Sequence, residues 1–113
     1  LALRKKYKVF LLSNTNQLHI DWVRRDLLHN HGISDFENRF FDKVYFSFEI
    51  GLHKPDTEIY RKVLQDSELH PSETLFIDDA LTNIHAAKEL GIHVYHHDPT
   101  KDLVDTFYKH GWL

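Results

Sequence analysis

Two carboxylates stand side by side in the stretch LFIDDALTN, at Asp78 and Asp79. Neighbouring carboxylates repel each other, and partial burial sharpens the cost, so a cation or a helix N-terminus must compensate them. Two other stretches carry complementary chemistry. VFLLSNTN places a hydroxyl, Ser13, and then Asn14 after an apolar run, and GLHKP places a cation, Lys54, in a connection. A hydroxyl, backbone N–H groups and a lysine suit phosphate oxygens, whereas carboxylates suit Mg²⁺. Phosphate and magnesium together would give the acidic pair a hard cation to face.

Each stretch alone has an ordinary reading. Ser13 or Asn14 could end a strand and begin a helix, and Lys54 could be one more solvated lysine. Asp79 could cap the helix that follows, which explains one aspartate and leaves the other. The order and placement of all three is the more specific signal.

The elements that must position them alternate along the chain. Residues 8–12 read as a short buried strand. A helix follows over 17–31, with Leu18, Trp22, Val23, Leu27 and Leu28 on one face and Gly32 as its stop. Residues 43–48, KVYFSF, read as a second strand. After Pro55, Ile59, Tyr60, Val63 and Leu64 repeat at helical spacing, with Asp56 and Glu58 suited to a first turn. The strand TLFI, a helix marked by Leu81, Ile84, Ala87 and Leu90 and closed by Gly91, a strand over 92–95, and a last helix with Leu103, Val104, Phe107 and Tyr108 complete the series. This β-α-β-α-β-α-β-α order predicts an α/β fold with a largely parallel sheet. Ligands in such folds bind beyond the carboxyl ends of the strands, where Ser13, Lys54 and the acidic pair all fall.

Bulk composition narrows the function classes. The 113 residues suit one domain, and a net charge of −3 provides no basic patch for nucleic acid. No apolar run approaches the roughly 20 residues that span a bilayer. Cysteine is absent, which removes disulfides, thiol catalysis and thiolate metal sites. Cytoplasm is the default compartment. The opening LALRKKYKVFLL, in a chain without methionine, is too short in its apolar run for a signal peptide, and Arg4-Lys5-Lys6 reads as a helix end leading into a strand. Residue 1 is therefore expected to be an internal position of a longer parent chain.

The three stretches together resemble the haloacid dehalogenase (HAD) superfamily, mostly Mg²⁺-dependent phosphatases. VFLLSNTN is similar to its second motif, FEIGLHKPDTEIY to its third in the phosphatase branch, and ETLFIDDALTNIHAAKELGIHVYHH, with Asp-Asp-x-x-x-Asn, to its fourth. The branch it resembles most contains sugar-1-phosphate phosphatases and the phosphatase domain of soluble epoxide hydrolases. The resemblance implies a three-layer Rossmann-like sheet and a role for each residue. Ser13 and the amide of Asn14 would bind the transferring phosphoryl group, and Lys54 would neutralise its oxygens and the nucleophile. Asp79 would contact Mg²⁺ directly or through water, with Asp78 beside it and the two roles exchangeable. Asn83 would orient the acidic loop.

One departure bears on activity. The family's first motif, Asp-x-Asp at a strand end, supplies the aspartate that attacks phosphorus and the group that handles the leaving-group proton. No such pair ends a strand here, and Asp35 with Asp42 is no substitute. The resemblance places the missing strand centrally, between the strands of the second and fourth motifs, and a cap between the first and second. Residues 1–113 are thus expected to be the C-terminal part of a single HAD-like core domain, its partner being the N-terminal segment of the same protein. Alone they are expected to be inactive towards a small phosphorylated substrate.

Other readings carry other expectations. A non-catalytic scaffold fragment would retain phosphate and metal ligands without turnover. A dehalogenase fits GLHKPDTEIY and DDALTN less well, and a receiver domain would carry its acidic pair first rather than last. His93, His96 and His97 could catch a transition metal, but alternation separates His96 from His97, so solvated or hydrogen-bonded imidazoles are expected. His53, next to Lys54, could contact substrate or lie on the loop surface. Trp22 and Trp112 read as packing residues, with Trp112 a candidate for docking on a partner.

Overall fold

The computed structural model describes residues 4 and 6–112. Contacts divide the chain into two compact units, Leu1–Gly51 and Leu52–Leu113. Of the helix end expected at Arg4-Lys5-Lys6, Lys5 lies outside the described residues.

The first unit is a βαβ arrangement. β1 (Phe10–Ser13) runs parallel to β2 (Lys43–Phe46), with Phe10 opposite Lys43 and Ser13 opposite Phe46. α1 (Gln17–His31) and the short α2 (Phe36–Phe40) make the crossover, and α3 (Ser47–Ile50) follows β2 directly. α1 starts where the Asn16 side chain accepts the His19 N–H at 2.9 Å. It stops at Gly32, whose φ of 65° suits glycine and whose N–H returns to the carbonyls of Leu27 and Leu28. The core is built on Ile20, Phe36 and Phe46, with Leu11, Val23, Leu27, Val44 and Phe48 against it.

That core corrects the helical face expected from sequence. Ile20, Val23 and Leu27 are the inward stripe, whereas Leu18 is 80% and Trp22 56% exposed, so Trp22 is a surface residue here. A second correction concerns residues 43–48. The strand stops at Phe46 and the chain turns into α3, closed by Gly51 at φ 71°. Asp42, weighed above for chemistry, is structural: its carboxylate accepts the Val9 N–H and pairs with Arg4 at 3.1 Å.

The second unit is another βαβ arrangement. α4 (Thr57–Asp66) precedes a 3₁₀ turn at Pro71–Glu73. β3 (Leu75–Asp78) then runs parallel to β4 (His93–His96), in register Leu75 to His93 and Asp78 to His96. α5 (Leu81–Lys88) crosses between them and lies against both strands and α4. α6 (Leu103–Lys109) ends the chain. Ile59, Tyr60, Ile84, Ala87, Ile92 and Phe107 are buried. Trp112 stacks on His110 and meets Tyr95 and Phe107 edge to face. It therefore packs within its own unit.

Among the described residues the ladder comprises two separate parallel pairs, β1–β2 and β3–β4. This is an incomplete parallel α/β arrangement of the kind expected. No helix among those residues is long and apolar enough to cross a membrane.

Candidate phosphate and metal site

β3 sets the geometry of the acidic pair. Side chains alternate along a strand, so Phe76 and Asp78 share one face of it. The Asp78 carbonyl accepts the His97 N–H at 2.9 Å, which anchors the main chain where the strand ends. Its carboxylate then serves three donors. Oδ1 accepts the Ala80 N–H at 3.0 Å, while Oδ2 accepts Lys54 Nζ at 2.7 Å and Asn83 Nδ2 at 3.2 Å.

These bonds answer the repulsion posed by two adjacent aspartates. The Lys54 and Asp78 side chains are only 12% and 8% exposed, so the pair is largely withdrawn from water. Burial pushes the Asp78 carboxyl up, but the Lys54 hydrogen bond, the Ala80 amide, the Lys54 charge and Asn83 together hold it below its ordinary range. Asp79 solves the problem differently: it is exposed. Its carbonyl, rather than its carboxylate, contacts His96 Nε2, at 2.9 Å. Asp79 does not cap α5. The cap position is Ala80, whose carbonyl accepts the N–H groups of Asn83 and Ile84.

Two aromatic residues, Tyr60 on α4 and Phe76 on β3, adjoin this cluster. The Tyr60 hydroxyl donates to the Asn83 carbonyl at 3.2 Å, and its ring meets Phe76 edge to face with centroids 5.3 Å apart. Burial first, and then the Asp78 charge, push the Tyr60 phenol up to about 12. The Lys54 ammonium lies 5.8 Å from the Phe76 ring centroid. The period-2 relation of Phe76 to Asp78 was the available signal.

The structure thus brings Lys54, Asp78 and Asn83 together, with Asp79 next in the chain. Ser13 ends β1 in the first unit, half-buried, and Asn14 after it is exposed. Capping of α1 belongs to Asn16, so the ordinary reading of Ser13 and Asn14 as helix starters does not apply. The histidines near β4 act singly: His93 Nε2 meets the Ser72 carbonyl at 2.9 Å and His96 meets Asp79. Among the described residues no three His, Asp or Glu side chains gather as a metal cluster.

Comparison with known proteins extends this geometry. Residues 1–91 match the profile of the haloacid dehalogenase-like hydrolases. A D-ribitol-5-phosphate phosphatase of Bacteroides thetaiotaomicron is 43% identical over 95 residues, covering 84% of this chain and 45% of that protein. A HAD family enzyme from the same organism, crystallised with magnesium and inorganic phosphate, superposes with a TM-score of 0.84 at 39% identity, over 94% of this chain and 53% of that one. A bifunctional epoxide hydrolase 2 from Rattus norvegicus is 31% identical over 91 residues, 80% of this chain and 16% of that protein. The chain spans about half the length of the first two relatives. Its match over most of its residues makes it a member of the haloacid dehalogenase-like hydrolase family.

Proposed function

We propose that this chain is the phosphate- and metal-holding part of a cytoplasmic, Mg²⁺-dependent phosphatase acting on a small sugar or polyol phosphate. The observation that carries the reading is the Lys54–Asp78 pair, 2.7 Å apart at the end of β3 and tied to Asn83, with an exposed carboxylate at Asp79. The relative that acts on D-ribitol 5-phosphate supports the substrate class.

The donor set suits magnesium. Mg²⁺ takes one or two carboxylates and keeps several waters. Asp79 offers hard oxygens to solvent, and Asp78 beside it is already balanced by Lys54. When bound, the ion neutralises charge on phosphoryl oxygens. The chain's own residues divide the remaining work. The Lys54 ammonium and Ser13 hydroxyl, with the Asn14 amide, bind phosphoryl oxygens, and Asn83 holds Asp78 in place. The aspartate nucleophile is supplied from outside residues 1–113, which form the C-terminal part of one HAD-like core domain.

The test is hydrolysis of D-ribitol 5-phosphate and p-nitrophenyl phosphate with and without Mg²⁺. The 113-residue chain alone should be inactive, and the same chain joined to a segment bearing the Asp-x-Asp motif should turn over. In the joined protein Lys54→Ala should lower kcat/KM by roughly 100-fold or more, and Asp79→Asn should raise the Mg²⁺ concentration required. Turnover by the chain alone would overturn the placement of the nucleophile. A joined protein that binds phosphate and Mg²⁺ without turnover would favour the scaffold reading.

A further inference from the structure

Lys54 is held from two directions. Its ammonium donates to Asp78 Oδ2 at 2.7 Å and faces the Phe76 ring, 5.8 Å from the centroid. Phe76 and Asp78 are two residues apart on β3, so one strand face supplies both the anion and the π surface. The ring is itself fixed, because Tyr60 meets it at an interplanar angle of 74°. The Tyr60 hydroxyl continues to the Asn83 carbonyl, and the Asn83 amide returns to Asp78 Oδ2. Contacts therefore run in a closed circuit through Lys54, Phe76, Tyr60, Asn83 and Asp78.

A lysine stem is flexible, and an ion pair by itself sets the distance to the partner oxygen more tightly than the direction of the ammonium. A ring face adds a second attraction from another direction, strongest where water is scarce. We propose that Phe76, braced by Tyr60, is a positioning residue that fixes the direction of Lys54. What Lys54 is positioned for rests on the phosphatase reading; the positioning itself does not.

The test is lysine acetylation in the whole protein, followed residue by residue by mass spectrometry, with exposed Lys62 on α4 as internal reference. In Phe76→Leu, Lys54 should be acetylated about tenfold faster, and in Phe76→Tyr within about twofold of the native rate. Pentafluorophenylalanine incorporated at position 76 keeps the ring's shape and reverses its quadrupole, so it should act in the same direction as Phe76→Leu. If Phe76→Leu also lowers the thermal midpoint, the fold has loosened and the fluorinated protein decides. Native Lys54 reactivity in the fluorinated protein overturns the proposal. Acetylation needs no turnover, so an inactive native protein would remove the phosphatase reading alone. In an active protein, the fluorinated ring should lower kcat about tenfold and leave thermal stability near native.

Discussion

Thr15 and Ser47 are joined twice: the Thr15 N–H donates to Ser47 Oγ at 2.9 Å, and the same hydroxyl donates back to the Thr15 carbonyl at 3.0 Å. The bonds tie the segment after Ser13 to the first turn of α3. Ser47→Ala removes both and leaves a part-buried amide without its acceptor, at a cost of about 1–2 kcal/mol. Urea unfolding should show a lower midpoint at unchanged slope. A native midpoint would mean that water replaces the hydroxyl without penalty.

Lys54 and Asp78 predict an asymmetry between single and double variants. Lys54→Met strands a mostly buried carboxylate on the Ala80 and Asn83 donors and should cost about 2–4 kcal/mol. Adding Asp78→Leu removes the stranded charge, so the double variant should recover part of that loss. A double-mutant cycle measures the coupling, and a value below about 0.5 kcal/mol would contradict a withdrawn pair.

Acid stability should report Asp78. Its folded pKa lies below the ordinary 3.8, so its contribution is fully present above that value. It drains away as pH falls through the lower, folded value. Stability of the native protein measured from about pH 5 downwards should therefore fall more steeply than that of Asp78→Asn. Parallel curves would show that other carboxylates dominate the acid limb.

Alkaline stability should report Tyr60. The folded phenol titrates near 12 against an ordinary 10.0, so its neutral form is favoured in the fold. That contribution is complete below 10.0 and is lost as pH rises towards 12, because the unfolded chain ionises first. Tyr60→Phe should flatten this loss and delete a late component of tyrosinate absorbance. Absorbance identical to that of the native protein would place the late phenol elsewhere.

The strands and the long helices were legible because their signals are repetitive. Apolar runs, helical spacing and closing glycines at 32 and 91 locate β1, α1, β3 and α5 to within a few residues. α2 and α3, of five and four residues, are too short to express a period. Ser47 adds a tertiary reason: the bond to Thr15 that accompanies the turn after Phe46 lies 32 positions away in sequence. The inward face of α1 was misjudged because Leu18 and Trp22 share its apolar character while Ile20 carries the burial. At the site, Lys54 and Asp78 are legible as charged residues beyond apolar runs, and Asn83 only through the family's Asp-Asp-x-x-x-Asn pattern. Phe76 and Tyr60 are not, since an aromatic residue in a core segment looks the same whether it fills space or faces a cation.

Because Lys54 is matched by Asp78, that pair presents a dipole at the end of β3, and the exposed Asp79 carboxylate beside it leaves the local charge negative. A dipole's potential decays faster with distance than that of a lone ammonium, and 0.1 M salt screens exposed charges beyond about 10 Å. An anion approaching Lys54 would feel little attraction until it was almost in contact, and would then compete with Asp78 for the same N–H groups. Until a cation covers Asp79, its arrival would be slowed by a repulsion that salt relieves, and selectivity would rest on how well its oxygens replace those of the Asp78 carboxylate.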